Sequence, residues 1–174
     1  MGFDARVGTE IAKYKRLPLL SGPGAYIASA GINLIRGIRQ PCTVEAAGER
    51  LPGEKSLVCV CSGRWYGGGF NPVPEAEPDD GLLDVLVVKG VSRFGVARLI
   101  GLYKAGRYRE LPDLIRHFRV PEVRVICEKD SVINLDGEAA YGRDVTFRAE
   151  PRALRFFYPR GLTYHAAASA AAGV

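Results

Sequence analysis

The sequence predicts an α+β fold in which strands predominate, arranged as an antiparallel β-sandwich with a few inserted or flanking helices. Most regular segments have the alternation or the β-branched content of strands, and helical spacing is confined to a few clustered stretches. Strands and helices do not alternate as they do in a parallel sheet. The chain has 174 residues, 47% of them hydrophobic, which is enough for one core. We expect one sandwich domain over residues 2–161 and an alanine-rich tail over residues 162–174 that is disordered or a loosely attached helix.

Two helices are expected at the beginning of the chain. The spacing from Val7 to Leu20 is broadly helical and basic, and Gly22-Pro23-Gly24 ends it. Ala25 to Ile38 places small and apolar residues at helical intervals, which predicts an amphipathic helix packed on another element. The opening residues, Met1 to Val7, have the composition of the inside of a folded segment, so we expect a chain cut from something longer.

Strands follow these helices. The segments Cys42–Ala46 and Ser56–Cys61 flank the turn-rich stretch Gly48–Lys55, which predicts a hairpin. The proline-rich and acidic stretch Asn71–Gly81 has no periodicity and predicts a loop. Leu82–Lys89 is strongly apolar and predicts a buried strand.

The second half begins with helices and returns to strands. Ser92 can cap a helix from Arg93 to about Gly106, and a shorter helix is expected over Arg109–His117. The remaining apolar or alternating runs predict four strands. These are Val120–Cys127, Ser131–Leu135, Asp144–Ala149 and Ala153–Tyr158.

The formal net charge of +5 favours anionic partners. Basic residues concentrate in an early segment and in one later segment. They are Arg6, Lys13, Lys15, Arg16, Arg36 and Arg39, and then Arg93, Arg98, Lys104, Arg107, Arg109, Arg116 and Arg119. They match no recognised RNA- or DNA-binding motif, so no nucleic-acid partner is expected. Without a signal peptide or an apolar run of bilayer length, the expected location is cytoplasmic.

The four cysteines lie in apolar or β-branched surroundings, where buried free thiols are the expected state. Cys59 and Cys61 share one face of a predicted strand, which leaves a metal or redox role open for that pair.

Two acidic motifs could carry chemistry. Leu135-Asp136-Gly137-Glu138 puts two carboxylates on either side of a glycine turn, where they could take a proton from an alcohol or hold a cation. A solvated hairpin turn explains the same residues. Upstream, four acids lie within the six residues Glu75–Asp80, and either a bound Mg²⁺ or Ca²⁺ or simple solvation would offset their repulsion.

Taken in order and spacing, several motifs resemble the C-terminal part of the diacylglycerol kinase catalytic family, which includes soluble bacterial lipid kinases and the sphingosine kinases. The resemblance covers roughly Gly2 to Gly161. The motifs are GFDA at the start, YGGG at Tyr66–Gly69, PEAEPDDGLLDVLVV at Pro74–Val88, NLDGE at Asn134–Glu138, and a final strand with Pro159.

This resemblance implies a two-domain, ATP-dependent lipid kinase whose N-terminal domain binds ATP and whose C-terminal β-sandwich covers the cleft. The 174 residues contain no GGDGT-type glycine motif, so the chain is expected to be the C-terminal domain alone and inactive by itself. The resemblance assigns Asp136 as the base for the lipid hydroxyl, with Glu138 beside it. It also assigns a structural Mg²⁺ to Glu77, Asp80 and the Leu82 carbonyl; family members often have Asp where this chain has Glu77.

The partners implied are a lipid alcohol such as diacylglycerol, the missing ATP-binding domain, and an anionic membrane surface approached peripherally. Mg²⁺ would also accompany ATP. A homodimer is left open. The basic segment from Arg93 to Arg119 could contact the membrane, or it could be a solvated helical face. The alternative function is a non-catalytic β-domain that binds a lipid or a partner protein.

Overall fold

A computed structural model of the chain describes residue 1 and residues 39–66, 69–151, 153–155, 157 and 160. The helices predicted over Val7–Leu20 and Ala25–Ile38, and the predicted tail over residues 162–174, lie outside the described residues. No described helix has the length and apolar character needed to span a bilayer.

The described residues form seven strands, one α-helix and one 3₁₀ turn. Most of this regular structure is antiparallel β-sheet, as predicted. In chain order they are β1 (Gln40–Ala46), β2 (Glu49–Leu51), β3 (Glu54–Cys61), β4 (Leu83–Lys89), α1 (Arg93–Lys104), the 3₁₀ turn (Tyr108–Glu110), β5 (Ile115–Val120), β6 (Glu122–Leu135) and β7 (Glu138–Arg148).

Two antiparallel sheets form the sandwich, and β1 passes from one to the other. Sheet A has the order β5-β4-β3 and continues to the first two residues of β1, where Gln40 pairs with Lys55 and Pro41 with Glu54. From Cys42 onward β1 lies in sheet B, between β2 and β6, and β7 completes that sheet beside β6.

The main core lies between the sheets, where buried residues at alternate strand positions pack together. It contains Cys42, Val44, Ala46, Val58, Leu83, Val85, Val87, Phe118, Val120, Val123, Val125 and Cys127. Fully burying one of the Val, Leu or Phe side chains of this core stabilises the fold by about 1.5–3 kcal/mol relative to exposure. The central strand β4 is buried from Leu83 to Val88 because its other face is covered as well.

A third layer, made by α1 and the loop before β4, covers that other face of sheet A. Its apolar residues pack on Leu86, Val88 and Ile115. Ser92 caps α1, since its hydroxyl accepts a hydrogen bond from the Gly95 N–H at 3.2 Å. The helix ends before Gly106, whose positive φ of 72° lets the chain turn where a Cβ would lie 2.3 Å from Pro74.

The predicted helix over Arg109–His117 is wrong. Only Tyr108–Glu110 forms a 3₁₀ turn, and Ile115–Val120 forms strand β5, paired in register with β4. Pro112 interrupts helical hydrogen bonding in this segment. Ile115, Phe118 and Val120 then bury their side chains in the two cores, so pairing with a buried strand outweighs the local helical spacing.

The later strands are longer than predicted. Val120–Cys127 and Ser131–Leu135 belong mostly to one strand, β6, with a register irregularity between Ile126 and Ser131. The strand predicted over Asp144–Ala149 is the end of β7, which begins at Glu138. The described residues within Ala153–Tyr158 are not in a strand, so that prediction is wrong for them.

The predicted hairpin between Cys42–Ala46 and Ser56–Cys61 is only partly correct. Both strands exist, but the tight turn at Ala47-Gly48 joins β1 to the short strand β2. β3 reaches β1 only at the two first residues of β1. The glycines within Gly48–Lys55 therefore provide two turns, with β2 between them.

Candidate functional site

The Asp-Gly motif forms a two-residue hairpin turn between β6 and β7. Asp136 and Gly137 both have positive φ, at 49° and 106°, which is the pattern of a type I′ turn. The Asn134 side-chain oxygen accepts a hydrogen bond from the Gly137 N–H at 2.8 Å and closes the turn. The turn therefore brings Asp136 and Glu138 to the tip of one hairpin, as the sequence predicts.

The hairpin tip is exposed. Asp136 and Glu138 are both exposed, and in the part of the chain that the structure describes neither carboxylate makes a hydrogen bond or an ion pair. Two large apolar side chains of the same hairpin, Leu135 and Tyr141, are 50% and 72% exposed. The tip thus presents two accessible carboxylates next to the exposed Leu135 side chain, whereas Tyr141 lies on the opposite face of the hairpin.

The acidic loop before β4 is closed by its own aspartate. The Leu82 N–H donates to one Asp80 oxygen at 2.7 Å. The other Asp80 oxygen accepts a hydrogen bond from Arg119 on β5. This hydrogen bond, together with the negative charge of Asp80, Asp84 and Glu77, raises the pKa of Arg119. A guanidinium therefore lies among the acids for which the sequence predicts a cation.

The fit of Mg²⁺ to this loop can be judged from its donors. Glu77 and Asp80 carboxylates with a Leu82 carbonyl are oxygen donors of the type that Mg²⁺ prefers. Both Asp80 oxygens already accept hydrogen bonds, one of them from a cation. Within the described ranges, no group of three or more Asp, Glu, His or Cys side chains could hold a metal ion. Mg²⁺ at these residues stays a prediction, and it requires Arg119 to share or release Asp80.

A buried polar chain lies behind the acidic loop and joins β4 to β5. The Asp84 side chain is only 2% exposed, and its Oδ1 lies 2.7 Å from Nε2 of His117. The other ring nitrogen of His117 lies 3.1 Å from the Tyr108 hydroxyl, and the two rings meet edge to face. Each of these groups thereby finds a partner away from water.

This series of polar contacts continues to the surface through Glu75. The Tyr108 hydroxyl donates a hydrogen bond to one carboxylate oxygen of Glu75, and Arg109 donates a hydrogen bond to the same oxygen at 2.5 Å. Burial, and then the hydrogen bond and charge of Glu75, raise the pKa of Tyr108. The network therefore connects Asp84 and His117 in sheet A to the loop that precedes β4.

Sequence analysis did not single out His117, Tyr108 or Arg119 as members of a polar cluster. Asp84 lies inside the acidic motif, but its partner His117 is 33 residues away and was placed in a helix. The usable signal was a lone histidine in a segment of alternating polarity, which fits a strand opposite Asp84.

Four arginines of the later basic segment whose side chains the structure describes are ion-paired. Arg107 pairs with Glu110, Arg109 with Glu75, Arg116 with Glu49 and Arg119 with Asp80. Lys104 lies over the Phe70 ring. These contacts reduce the positive charge that the segment can offer to a membrane surface.

All four cysteines are free thiols, and three of them are buried. The Cys59 and Cys61 sulfur atoms lie 3.2 Å apart, as expected for two residues on one face of a strand. Cys42 and Cys127 lie in the core between the sheets.

Comparison with known families decides which of them shares this architecture. The sequence model of one protein family, the YegS C-terminal NAD kinase β-sandwich-like domain, matches residues 1–158. The chain belongs to this family. As a YegS-type domain, it has the sandwich that was expected from the resemblance to diacylglycerol kinases.

Curated relatives of this YegS-type domain are named probable YegS-like lipid kinases. One, from Stenotrophomonas maltophilia (strain K279a), is 30% identical over 162 residues, which cover 92% of this chain and 51% of the relative. Another, from Pseudomonas aeruginosa (strain UCBPP-PA14), is 34% identical over 135 residues, covering 74% and 44%. The chain spans about half the length of the curated relatives that it matches.

Among solved structures, a candidate diacylglycerol kinase from Bacillus anthracis str. Sterne shares the fold. The TM-score is 0.51 at 21% identity, and the match covers 71% of this chain and 45% of that one. This likeness supports the fold of the YegS-type domain and carries no information about substrate.

Proposed function

We propose that this YegS-type domain is the lipid-substrate half of an ATP-dependent lipid kinase that phosphorylates the hydroxyl of diacylglycerol or a related lipid alcohol. The observation that carries the proposal is the exposed Asp136-Gly137-Glu138 turn, in a chain whose curated relatives are named probable lipid kinases. Asp136 is the proposed base, and Glu138 is the proposed second carboxylate beside it.

The geometry of the turn suits this role. Phosphoryl transfer depends mainly on positioning and on neutralising charge, so the base needs to orient an alcohol rather than perform difficult chemistry. An aspartate at an exposed tip can approach an alcohol carried by a large partner. The absence of a competing ion pair within the described residues leaves the Asp136 carboxylate available to accept that proton.

ATP and its Mg²⁺ are proposed to bind mainly to a second domain outside this chain. That proposal is supported by the relatives, which are about twice as long as the matched segment. A second Mg²⁺ is proposed at Glu77, Asp80 and the Leu82 carbonyl, where it would order the loop before β4.

The lipid substrate is proposed to be reached at an anionic membrane surface. Leu135 directly precedes the turn and is 50% exposed, which supports an approach through the hairpin tip, because an apolar side chain next to the base can enter the interface between headgroups and acyl chains. The ion pairs of Arg109, Arg116 and Arg119 give less support to a purely electrostatic contact.

The test is a kinase assay of the complete gene product with labelled ATP and a panel of lipid alcohols in mixed micelles, with the 174-residue chain as the control. Phosphorylation of one lipid by the complete protein, and none by the chain alone, would support the proposal. Robust phosphorylation by the 174-residue chain would contradict it. A complete protein that binds lipid vesicles but transfers no phosphate would favour the alternative, a non-catalytic lipid- or partner-binding β-domain.

A further inference from the structure

Cys42 and Cys127 lie directly opposite each other on neighbouring antiparallel strands. Cys42 is on β1 and Cys127 on β6, and the strand register pairs their Cα atoms. Both are buried in the core between the sheets, at 7% and 6% exposure. No other pair of cysteines in the chain is joined by the register across two strands.

The backbone hydrogen bonds identify the type of this pair. The Cys42 N–H donates to the Gly53 carbonyl at 3.3 Å, on the edge of β1 that faces away from β6. In an antiparallel strand, the N–H and C=O of one residue point to the same edge, so Cys42 and Cys127 form a non-hydrogen-bonded pair. Such pairs have Cα atoms about 4.5 Å apart, which lies within the range that a disulfide can bridge.

The surroundings of the pair are partly polar. The Ser131 hydroxyl donates to the Gln40 side-chain oxygen at 2.9 Å, and both residues flank the pair along β6 and β1. The neighbouring Cys42 thiol is the largest influence that lowers the pKa of Cys127, to about 7, while the same interaction and burial raise the pKa of Cys42. The two sulfurs are therefore unequal, with Cys127 the better nucleophile near neutral pH.

We propose that Cys42 and Cys127 form a reversible disulfide that joins β1 to β6 when the protein meets a small-molecule disulfide such as oxidised glutathione. The Cys127 thiolate attacks one glutathione sulfur, forms a mixed disulfide and releases one glutathione thiolate. Cys42 then loses its proton and attacks the Cys127 sulfur, which releases the second glutathione. The two protein thiols lose two protons and two electrons, and one oxidised glutathione becomes two reduced molecules.

This pair is a better candidate than Cys59 and Cys61. Those two residues are two positions apart on one strand, so an extended backbone holds their Cα atoms about 6.4–6.8 Å apart, at the upper limit for a disulfide. Cys42 and Cys127 lie opposite each other on β1 and β6, where the Cα–Cα distance of about 4.5 Å is within the range of a disulfide.

Tryptic digestion separates Cys42, Cys127 and the pair Cys59 and Cys61 into three different peptides, so a peptide map shows which cysteines are cross-linked. Cleavage after Arg or Lys gives residues 40–50 with Cys42, residues 125–129 with Cys127, and residues 56–64 with Cys59 and Cys61. The folded 174-residue chain is incubated with oxidised glutathione, alkylated at acid pH and digested without reductant. We expect a cross-linked peptide of 40–50 with 125–129 that separates on reduction.

Variants and a stability measurement complete the test. Cys42→Ser should stop at a glutathione adduct on Cys127, whereas the double variant Cys59→Ser with Cys61→Ser should keep the cross-link. Oxidised wild-type protein should melt about 5 °C or more above the reduced protein. The proposal is overturned if folded wild-type protein stays unmodified, gives only adducts, or gives only a disulfide within residues 56–64. The wild-type map decides the question even if Cys42→Ser does not fold.

Discussion

His117 contacts the almost fully buried carboxylate of Asp84 across two paired strands, with 2.7 Å between Nε2 and Oδ1. The contact holds β5 against β4 at the point where the acidic loop enters the sandwich. Removing the ring donor would leave a carboxylate in the core without its partner. Removing one partner of a buried charged pair lowers the stability of a protein far more than replacing both partners by apolar residues does.

We therefore predict that His117→Phe lowers the free energy of unfolding by about 3 kcal/mol. The double variant Asp84→Leu with His117→Phe should recover a large part of this loss, because apolar groups that replace both partners leave no unpaired charge. Urea unfolding followed by circular dichroism measures these two variants and the single variant Asp84→Leu, which completes the cycle. If the double variant loses the sum of the two single losses, Asp84 and His117 do not interact energetically.

The glycine of the hairpin turn gives a second prediction. Gly137 has a φ of 106° and no atom within 4 Å of a Cβ placed there, so Gly137→Ala costs backbone strain without a clash. We expect a loss of about 1 kcal/mol in the free energy of unfolding. Gly63→Ala is the matched control, because that position also has open space around a Cβ but no positive φ. Equal effects of the two substitutions in thermal unfolding would contradict the role of backbone conformation.

The turn was predictable from sequence because its chemistry is local. Asp136 and Gly137 are neighbours, and their preference for positive φ follows from their own side chains. The buried strand β4 and helix α1 with its Ser92 cap were also evident, since apolar periodicity and a capping residue lie within one short segment.

The contacts around the acidic loop could not be predicted in the same way. Asp80 and Arg119 are 39 residues apart, and Asp84 and His117 are 33 apart. Their pairing depends on the register of β5 against β4, which periodicity within one segment does not specify. The predicted helix over Arg109–His117 concealed His117, and Arg119 lay outside both this helix and the strand predicted from Val120, so neither residue was placed along β4.

The reactivity of Cys127 gives a prediction of pH dependence. The folded protein lowers the pKa of this thiol to about 7 from an ordinary value of 9.0. The thiolate fraction, and with it the rate of alkylation by iodoacetamide, should rise as the pH passes upward through about 7. Mass spectrometry of the peptide 125–129 measures this rate, and Cys127→Ser is the blank. A midpoint near 9 would show that the fold does not lower the pKa of this thiol.

Arg119 gives a prediction for cation binding. Its guanidinium occupies one oxygen of Asp80 and lies near Glu77, where Mg²⁺ is proposed to bind. Arg119→Gln should therefore strengthen Mg²⁺ binding about tenfold in isothermal titration calorimetry, because a competing cation is removed. Arg116→Gln is the matched control, since Arg116 lies on the same strand, has the same 45% exposure and pairs instead with Glu49. Equal Mg²⁺ affinity in the two variants would exclude competition by Arg119.

The proposed base is tested by a substitution that preserves the turn. Asparagine tolerates the positive φ of Asp136 as readily as aspartate does, so Asp136→Asn removes the charge with little change in conformation. In the complete gene product, we expect lipid phosphorylation to fall about 100-fold or more, the contribution typical of general base catalysis. Asp130→Asn is the control. Asp130 is exposed and lies on β6, the strand that leads into the turn, and its substitution should keep full activity. If Asp136→Asn keeps most of its activity while its melting temperature is unchanged, the base must be another residue.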